Sequence, residues 1–412
     1  SEVANEEQGG RGAGEQGGDR PPGGLLSPER GLSLENERAE EMEKGSESAL
    51  PRPPAPLHPR SPAVRGLWSV VPILLVAFAL RVWNLSGVPP GLTHDEANHG
   101  REAIEVLAGV FRLFFPLNYG SEPLYSYTVA AFMALLGRGV FALRLVNAVF
   151  GTLAVAVTYA WAAPRLGRPT ALLGAALLAV SFWPLAASRE ALRAGMLPFF
   201  MGLAVLAFWR ILEPTLLTTD RRPQTTDHRP PLSSGGSSVV RRPSSVVRRL
   251  WAVILFALAV ALTLYIYLAA RVSWLLFPAF LGYLALVHRA IFRRAWWPRT
   301  AGPVLAGLLL AGLLVAPLFL YLRAHPEMQT RLDMLDRPLQ AITGGDFMPV
   351  LLNVRDALLA FVWPGFGDQF LAYNIPGRPV LDLLSAVFFV LGLAVCLWRW
   401  RRPAYAFLLL WF

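Results

Sequence analysis

The feature that most limits what this chain can fold into is a series of apolar runs, many of them about twenty residues long. They cover ten segments: 67–83, 123–136, 140–162, 170–187, 194–212, 250–269, 272–288, 302–322, 380–398 and 404–412. About twenty apolar residues in a helix cross the roughly 30 Å hydrocarbon core of a bilayer. Only 16% of the residues are charged, whereas soluble chains have about a quarter. The sequence therefore predicts an all-α polytopic membrane protein.

The net charge of +10, from 38 Lys and Arg against 28 Asp and Glu, could indicate a nucleic-acid ligand. In a membrane protein, cations that collect in cytoplasmic loops explain such an excess better, so we expect no nucleic-acid partner. Cys396 is the sole cysteine. Its isolation excludes an internal disulfide, a thiolate zinc site and an iron–sulfur cluster.

The chain divides by composition into a polar tail and a membrane domain. Residues 1–65 are rich in Gly, Glu, Arg, Pro and Ser, which predicts a disordered cytoplasmic tail. Residues 66–412 form the transmembrane domain. It contains three long connections: a first external loop at 84–139, a low-complexity cytoplasmic linker at 213–249 and a second large external loop at 323–379. Because the chain begins at Ser1 rather than Met and ends at Phe412 inside an apolar run, we expect it to be a truncated piece of a longer protein.

The run 123–136 decides the orientation of the other spans. It would form about 22 Å of helix, which is short for a span. If it does not cross, and the tail is cytoplasmic, sixteen arginines fall on the cytoplasmic side, in stretches 165–168, 221–249, 289–299 and 399–402. If it does cross, all of them move outside, against the positive-inside rule. We therefore expect 123–136 to be a helix in the outer membrane interface.

The first external loop carries an unusual group of polar residues. A helix is predicted to begin near Thr93, because Thr93 and Glu96 have the spacing of a capping box. Asp95, His99 and Glu102 then share one helical face, which we expect to meet water or a cavity. Asp95 is either a solvated carboxylate favoured by the helix dipole or a general base.

Three further choices in this loop remain open from the sequence. Glu96 is either the cap or a second site residue. His94 and His99 are either surface residues or, with Asp95, ligands of a divalent cation such as zinc or manganese. Glu122 stands before Pro123, the preferred first residue of a helix, so it is either a cap or an acid facing Asp95.

Four arginines from separate segments fall at the outer membrane level of this topology. They are Arg81, Arg189, Arg193 and Arg271. Such arginines either extend to lipid headgroups or bind an anionic ligand, since guanidinium groups match phosphate oxygens. A cationic ring beside an acidic helix is what binding a lipid phosphate and activating a hydroxyl would require. Tyr265, Tyr267 and His325 lie at the same level, and Arg331 is either a further phosphate contact or ordinary loop charge.

In this order and spacing, the residues resemble the GT-C class of polytopic glycosyltransferases, in particular bacterial relatives of protein O-mannosyltransferases and lipid A aminoarabinose transferases. The resemblance covers about 67–400 and rests on Arg81, Asp95, Glu96, Glu122, Pro123, Ser188, Arg189, Tyr265, Tyr267, Arg271, His325, Pro326, Glu327 and Arg331. It implies a GT-C-type helix bundle with juxtamembrane helices in the first external loop. Several relatives also carry an acid shortly after the arginine of the second external turn, whereas residues 192–196 here contain none.

The resemblance further implies an enzyme that moves a sugar from a polyprenyl-phosphate donor to an acceptor on the outer face of a bacterial cytoplasmic membrane. It assigns Asp95 as the catalytic base and Glu122 as a second acid. Our hypothesis is inverting transfer, with Arg189, Arg193 and Arg271 stabilising the leaving phosphate. The acceptor, whether protein, lipid or glycan, stays open. The alternatives are a secondary transporter, which would place ionisable residues near the midplane, and a noncatalytic lipid-binding or assembly protein.

Overall fold

The structure is a computed structural model that describes residues 68–220, 245–289, 297–329, 336–367, 369 and 375–412. The tail predicted at 1–65, most of the predicted linker at 213–249 and the candidate Arg331 lie outside these residues. The described part of the chain is helical, with one isolated antiparallel bridge between Phe115 and Ser121.

The first half of the described chain contains seven α-helices: α1 (Val71–Val82), α2 (His94–Leu107), α3 (Pro123–Leu136), α4 (Val140–Leu166), α5 (Arg168–Val180), α6 (Phe182–Ala187) and α7 (Leu197–Asp220). The second half contains eight: α8 (Ser245–Leu264), α9 (Ala270–Ser273), α10 (Leu276–Val287), α11 (Gly302–Ala324), α12 (Asp336–Thr343), α13 (Met348–Leu359), α14 (Leu383–Trp398) and α15 (Pro403–Trp411). Short turns of 3₁₀-helix at Arg193–Met196 and Pro326–Met328 and of π-helix at Trp297–Ala301 join some of them.

Five helical segments in the described residues are long and apolar enough to span a membrane: Val140–Leu166, Arg193–Glu213, Val246–Leu264, Ala270–Val287 and Trp297–Ala324. The prediction of an all-α, multi-pass membrane protein is therefore confirmed. Helix α3 has 14 residues, or about 21 Å of helix, but α1 and α5, with 12 and 13 residues, are shorter still, so the interfacial position of α3 stays a prediction.

The apolar run 170–187 is not one continuous helix. It divides into α5 and α6, because Ser181 leaves the helical conformation at φ −59° and ψ 139°. Pro184 lies three residues later and has no N–H to donate to the carbonyl of Val180, so an unbroken helix would lose a hydrogen bond there. The break directs the chain into the turn at 188–193.

The core of the bundle lies where α7 packs against α4 and α8. Phe208 of α7 is fully buried and contacts the rings of Phe256, Phe277, Phe280 and Phe407, at centroid separations between 5.0 and 6.2 Å. Such offset and edge-on aromatic contacts add to the burial of apolar area. They hold α7 in place, and the turn that begins with Arg193 leads directly into that helix.

A buried ion pair joins the start of α2 to α4. Arg144 donates from Nε to Oε1 of Glu96 at 2.8 Å and from Nη2 to Oε2 at 3.1 Å, and neither side chain is exposed. The same guanidinium donates to the backbone carbonyls of Leu85, Pro89 and Gly91. The loop before α2 is therefore fastened to α4 through a single side chain.

We expect Arg144→Met to lower the stability of the protein strongly. The substitution leaves the carboxylate of Glu96 buried without its cation, and breaking a buried pair in this way costs about 3–5 kcal/mol. Thermal unfolding in detergent, followed by tryptophan fluorescence, measures the change. Arg138→Met, at an exposed arginine between α3 and α4, is the control. An equal melting temperature for the two variants would show that the pair does not hold the fold.

Candidate active site

The centre of the candidate site is a buried carboxylate between two arginines. Oε2 of Glu122 lies 3.6 Å from Nη1 of Arg193, and Oε1 lies 3.6 Å from Nη2 of Arg271. Glu122 and Arg193 are buried, and the side chain of Arg271 is 19% exposed. Three of the residues that the sequence assigned to one membrane level therefore meet in space.

Each of the three side chains is placed by a different element. Glu122 occupies the N-cap position of α3 with an extended backbone, but its side chain makes no capping hydrogen bond. Arg193 begins the 3₁₀ turn, donates to the carbonyl of Gly120 at 2.9 Å and lies 5.5 Å from the ring centroid of Tyr267. Arg271, in α9, donates to Oε1 of Gln329 at 3.3 Å.

These residues line a small pocket that is open to solvent and has room for about one water molecule. Its wall consists of Phe114, Tyr119, Gly120, Glu122, Arg193, Leu268, Arg271 and Gln329. A partly apolar wall with few polar groups is typical of ligand sites. The two guanidinium groups outnumber the single carboxylate in this wall, so the pocket favours an anionic ligand.

One side of the pocket is a segment with unusual backbone angles. Asn118, Tyr119 and Gly120 have φ values of 57°, 58° and 92°, in the left-handed region. Only glycine adopts this region without a steric penalty. At Gly120, an added Cβ would lie 2.6 Å from the carbonyl oxygen of Met328, so both the angle and the space require glycine. Strained backbone of this kind often occurs at binding sites.

Asp95 lies in the first turn of α2, with 27% of its side chain exposed. Its carboxylate is 3.8 Å from Nδ1 of His94, whose side chain is 80% exposed. The backbone carbonyl of Asp95 accepts a hydrogen bond from Nδ2 of Asn118 at 3.3 Å. Asp95 is thus joined to the strained segment of the pocket wall and remains accessible to a solute.

Glu96 is a structural residue. It forms both halves of the capping box with Thr93, pairs with Arg144 and accepts from the backbone N–H of Ala191 at 2.9 Å. Its carboxylate is fully buried. The capping alternative for Glu96 is confirmed, and we remove Glu96 from the candidate catalytic residues.

Only part of the predicted polar face of α2 is exposed to water. Asp95 is half-exposed, but His99 and Glu102 are buried. Nδ1 of His99 lies 2.9 Å from Oε2 of Glu102, which explains the burial, since each group satisfies the other. The surface alternative for His99 is wrong, whereas His94 is at the surface.

Two of the four arginines that were predicted to bind phosphate donate hydrogen bonds to backbone carbonyls instead. Arg189 donates to the carbonyls of Leu80, Arg81, Trp83 and Val88. Arg81 is buried and donates to the carbonyls of Ala77, Ala179 and Leu178. The last carbonyls of a helix have no partner within it, and the two guanidinium groups donate to four of these: Leu80 and Arg81 of α1, and Leu178 and Ala179 of α5. We therefore correct the assignment of Arg81 and Arg189 from phosphate contacts to helix-end contacts.

The remaining predicted residues lie around the pocket in supporting positions. The ring of Tyr267 lies under Arg193, and the hydroxyl of Tyr265 donates to the carbonyl of Leu314 at 3.0 Å. His325 stacks on Tyr321 at the end of α11 and contacts its carbonyl at 3.0 Å. His325 thus orders the turn that carries Gln329 into the pocket wall.

Asp95 and His99 were also candidates for a metal site. In the described part of the chain, no group of three or more His, Cys, Asp or Glu side chains has the arrangement to hold a metal ion. Nδ1 of His99 faces Glu102, and Asp95 faces His94. Because these side chains contact different partners, we name no metal ligands.

Sequence reasoning missed Arg144, Asn118 and Gln329. A charged residue inside the apolar run 140–162 was a signal for Arg144, because an arginine there needs a buried partner. Asn118 stands directly before Tyr119-Gly120, and asparagine tolerates the left-handed region. The sequence contains no feature that distinguishes Gln329 from other loop residues.

Glu190 is a second buried carboxylate beside the site. Burial and, to a smaller extent, the neighbouring charge of Glu96 raise its pKa from 4.5 to about 7, against the opposing effect of Arg144. Asn147 holds the surrounding turn by donating to the carbonyls of Glu190 and Leu192 at 2.6 and 2.7 Å. Glu190 therefore resists ionisation in the turn that leads to Arg193.

This raised pKa predicts a pH-dependent stability. Between about pH 4.5 and 7 the folded protein binds more protons than the unfolded chain, so stability falls as pH rises through this window. We expect Glu190→Gln to be more stable than the wild type at pH 8, by about 1–3 kcal/mol, and equal to it near pH 4.5. Melting temperatures at both pH values measure the difference, with the exposed Glu105→Gln as control. The same gain at both pH values would contradict this explanation.

With this geometry described, the chain can be compared with known proteins. Residues 120–218, which include Glu122 and Arg193, match the family described as dolichyl-phosphate-mannose-protein mannosyltransferase. The crystal structure of the Archaeoglobus fulgidus oligosaccharyltransferase, tethered to an acceptor peptide, is similar over 85% of this chain at 15% identity and a TM-score of 0.55. The chain has a GT-C-type fold. The predicted resemblance to the GT-C class is confirmed.

The chain spans only part of the structures that it resembles. It covers 46% of the oligosaccharyltransferase. ArnT from Cupriavidus metallidurans, solved with bound undecaprenyl phosphate, is similar at 16% identity over 85% of this chain and 54% of ArnT, with a TM-score of 0.44. No curated protein matches the chain.

Proposed function

We propose that this chain belongs to a glycosyltransferase that takes a sugar from a polyprenyl-phosphate donor and attaches it to an acceptor hydroxyl. The observation that carries the proposal is the pocket in which Arg193 and Arg271 flank the buried Glu122. The family match over 120–218 supports a lipid-phosphate sugar as the donor, because its description names dolichyl-phosphate-mannose. The acceptor and the sugar are not specified by these residues.

In the proposed mechanism, Arg193 and Arg271 bind the phosphate of the donor. The acceptor hydroxyl attacks the anomeric carbon of the sugar, and the bond from that carbon to the phosphate oxygen breaks. The electron pair stays with polyprenyl phosphate, whose added charge the two guanidinium groups stabilise. Attack from the face opposite the phosphate inverts the anomeric carbon.

Asp95 is the proposed general base. It is partly exposed, lies in the first turn of α2 and is joined to the pocket wall by Asn118. It would accept the proton that the acceptor hydroxyl loses during attack. Glu122 takes no proton in this scheme; it keeps the two arginines together.

The proposed location is the outer face of a bacterial cytoplasmic membrane, with a cytoplasmic N-terminus. The positive-inside distribution of the sixteen arginines supports this orientation if α3 lies in the interface. The pocket elements, from α2 to the turn at 193 and α9, then share the outer level. Lipid-linked donor would reach the pocket from within the bilayer and acceptor from outside it.

We expect Asp95→Asn to abolish sugar transfer and leave lipid-phosphate binding intact. The amide cannot accept the proton, and loss of a general base lowers rates by about 10²–10⁴-fold. The test supplies membranes with radiolabelled polyprenyl-phosphate sugars and measures loss of label from the lipid. Glu105→Gln, an exposed acid on the same helix, is the control. Turnover like that of the wild type in Asp95→Asn would reject Asp95 as the base.

We expect Arg271→Ala to weaken binding of undecaprenyl phosphate, because one of the two proposed phosphate contacts is removed. A charge-assisted contact of this kind is worth about 1.5–3 kcal/mol, or roughly ten- to a hundredfold in affinity. Purified protein in detergent can be titrated with the lipid, and Arg355→Ala, at an exposed arginine paired with Asp356, is the matched control. Unchanged affinity in Arg271→Ala would contradict the phosphate assignment.

The transfer assay and the lipid titration also distinguish a transferase from the two alternatives, a noncatalytic lipid-binding protein and a secondary transporter. A noncatalytic lipid-binding protein would lose affinity in Arg271→Ala but would release no label in any form. A secondary transporter would move labelled lipid or sugar across the membrane without breaking the bond to phosphate. Only a transferase converts the labelled donor to free polyprenyl phosphate in an Asp95-dependent way.

A further inference from the structure

A buried acid outside the pocket, Glu102, is tied to the strained segment of the pocket wall. Glu102 lies two turns into α2 and is fully buried. Its Oε1 accepts from the hydroxyl of Ser121 at 2.8 Å, and its Oε2 accepts from the hydroxyl of Ser126 and contacts Nδ1 of His99 at 2.9 Å. A buried carboxylate with three hydrogen-bond partners has a strongly defined position.

The contacts of Glu102 reach both ends of the strained segment. Ser121 directly follows Gly120 and precedes Glu122, and it also closes the backbone bridge with Phe115 at 2.8 and 2.9 Å. At the other end, Oδ1 of Asn118 accepts from Asn98 at 2.7 Å, and its amide lies 3.5 Å from Nε2 of His99. His99 thus extends the contact network of Glu102 to Asn118.

This arrangement matters because the segment between these contacts is strained. Residues held at unfavourable backbone angles cost about 1–3 kcal/mol each and keep those angles only where their surroundings fix them. Asn118 and Tyr119 are two such residues, with φ values of 57° and 58°. The side-chain contact between Ser121 and Glu102 is one of the contacts that oppose relaxation of this segment toward ordinary angles.

Relaxation would disturb the pocket in two places. The carbonyl of Gly120 accepts from Arg193 at 2.9 Å, and Glu122 follows two residues later. We propose that Glu102 is a positioning residue that, through Ser121, holds the 118–121 segment in its strained form and so sets the placement of Arg193 and Glu122. The expected effect of Glu102 on ligand binding rests on the proposed function, whereas the effect of Glu102 on the backbone of the segment does not.

The chain offers a matched pair of variants for the test. Ser121→Ala and Ser126→Ala each remove one hydroxyl from the same buried carboxylate. Ser121 lies at the end of the strained segment, whereas Ser126 lies in the first turn of α3. If Glu102 only stabilises the fold, the two variants should behave alike. If Glu102 positions the segment, only Ser121→Ala should change it.

Two measurements on the purified full chain decide between these outcomes. In hydrogen–deuterium exchange, we expect faster exchange in peptides covering 113–120 for Ser121→Ala and Glu102→Gln, and wild-type exchange there for Ser126→Ala. In titrations with undecaprenyl phosphate, we expect affinity about tenfold weaker for Ser121→Ala and within about twofold of wild type for Ser126→Ala, at similar melting temperatures.

Unchanged exchange at 113–120 in Ser121→Ala, or the same change in both serine variants, would overturn the inference. So would faster exchange without weaker affinity in Ser121→Ala, since the placement of Arg193 would then not depend on the segment. A wild-type protein that fails to bind undecaprenyl phosphate would count against the proposed function instead. In that case the exchange comparison alone decides whether Glu102 positions the segment.

Discussion

The ion pair between Glu96 and Arg144 is the interaction on which the site depends. Arg144 fastens the loop at 85–91 to α4, and Glu96 fastens the start of α2 to the turn at Ala191. The loop at 85–91 leads to α2 and Asp95, and the turn at Ala191 leads to Arg193. Buried ion pairs contribute little net stability, because desolvation opposes their attraction. In this protein the pair defines which segments meet, since an alternative packing would leave two buried charges unpaired.

Much of the fold was predictable from the sequence because membrane spans are encoded by composition and length. Five of the apolar runs correspond to helical segments that are long and apolar enough to span a membrane, and the short run 123–136 corresponds to a helix of only 14 residues. The break at Ser181 was less visible, because apolar content does not reveal a helix interruption. Pro184 was the available signal, but proline also occurs inside α4 and α11 without dividing them.

The candidate site was predictable in part, for a physical reason that the arginines illustrate. Charge and topology place a residue at a depth in the membrane but do not give the direction of its side chain. Arg81 and Arg189 were predicted to lie at one membrane level with Arg193 and Arg271, yet their guanidinium groups donate to carbonyls at helix ends. Arg193 and Arg271, at the same level, turn to Glu122 instead. Orphan carbonyls and a buried carboxylate compete for the same cations, and only three-dimensional packing decides which cation each receives.

The distances around Glu122 indicate how the pocket could accept an anion. Charge-assisted hydrogen bonds between guanidinium and carboxylate are about 2.7–2.9 Å long. Both arginine contacts of Glu122 are 3.6 Å, and among the described residues its Oε2 has no hydrogen-bond partner. Glu122 therefore balances the charge of Arg193 and Arg271 without a close hydrogen bond to either. Two cations and one carboxylate leave an excess positive charge in a partly buried wall. A phosphate that entered beside Glu122 would neutralise this excess, so the carboxylate can preorganise the arginines without blocking the ligand.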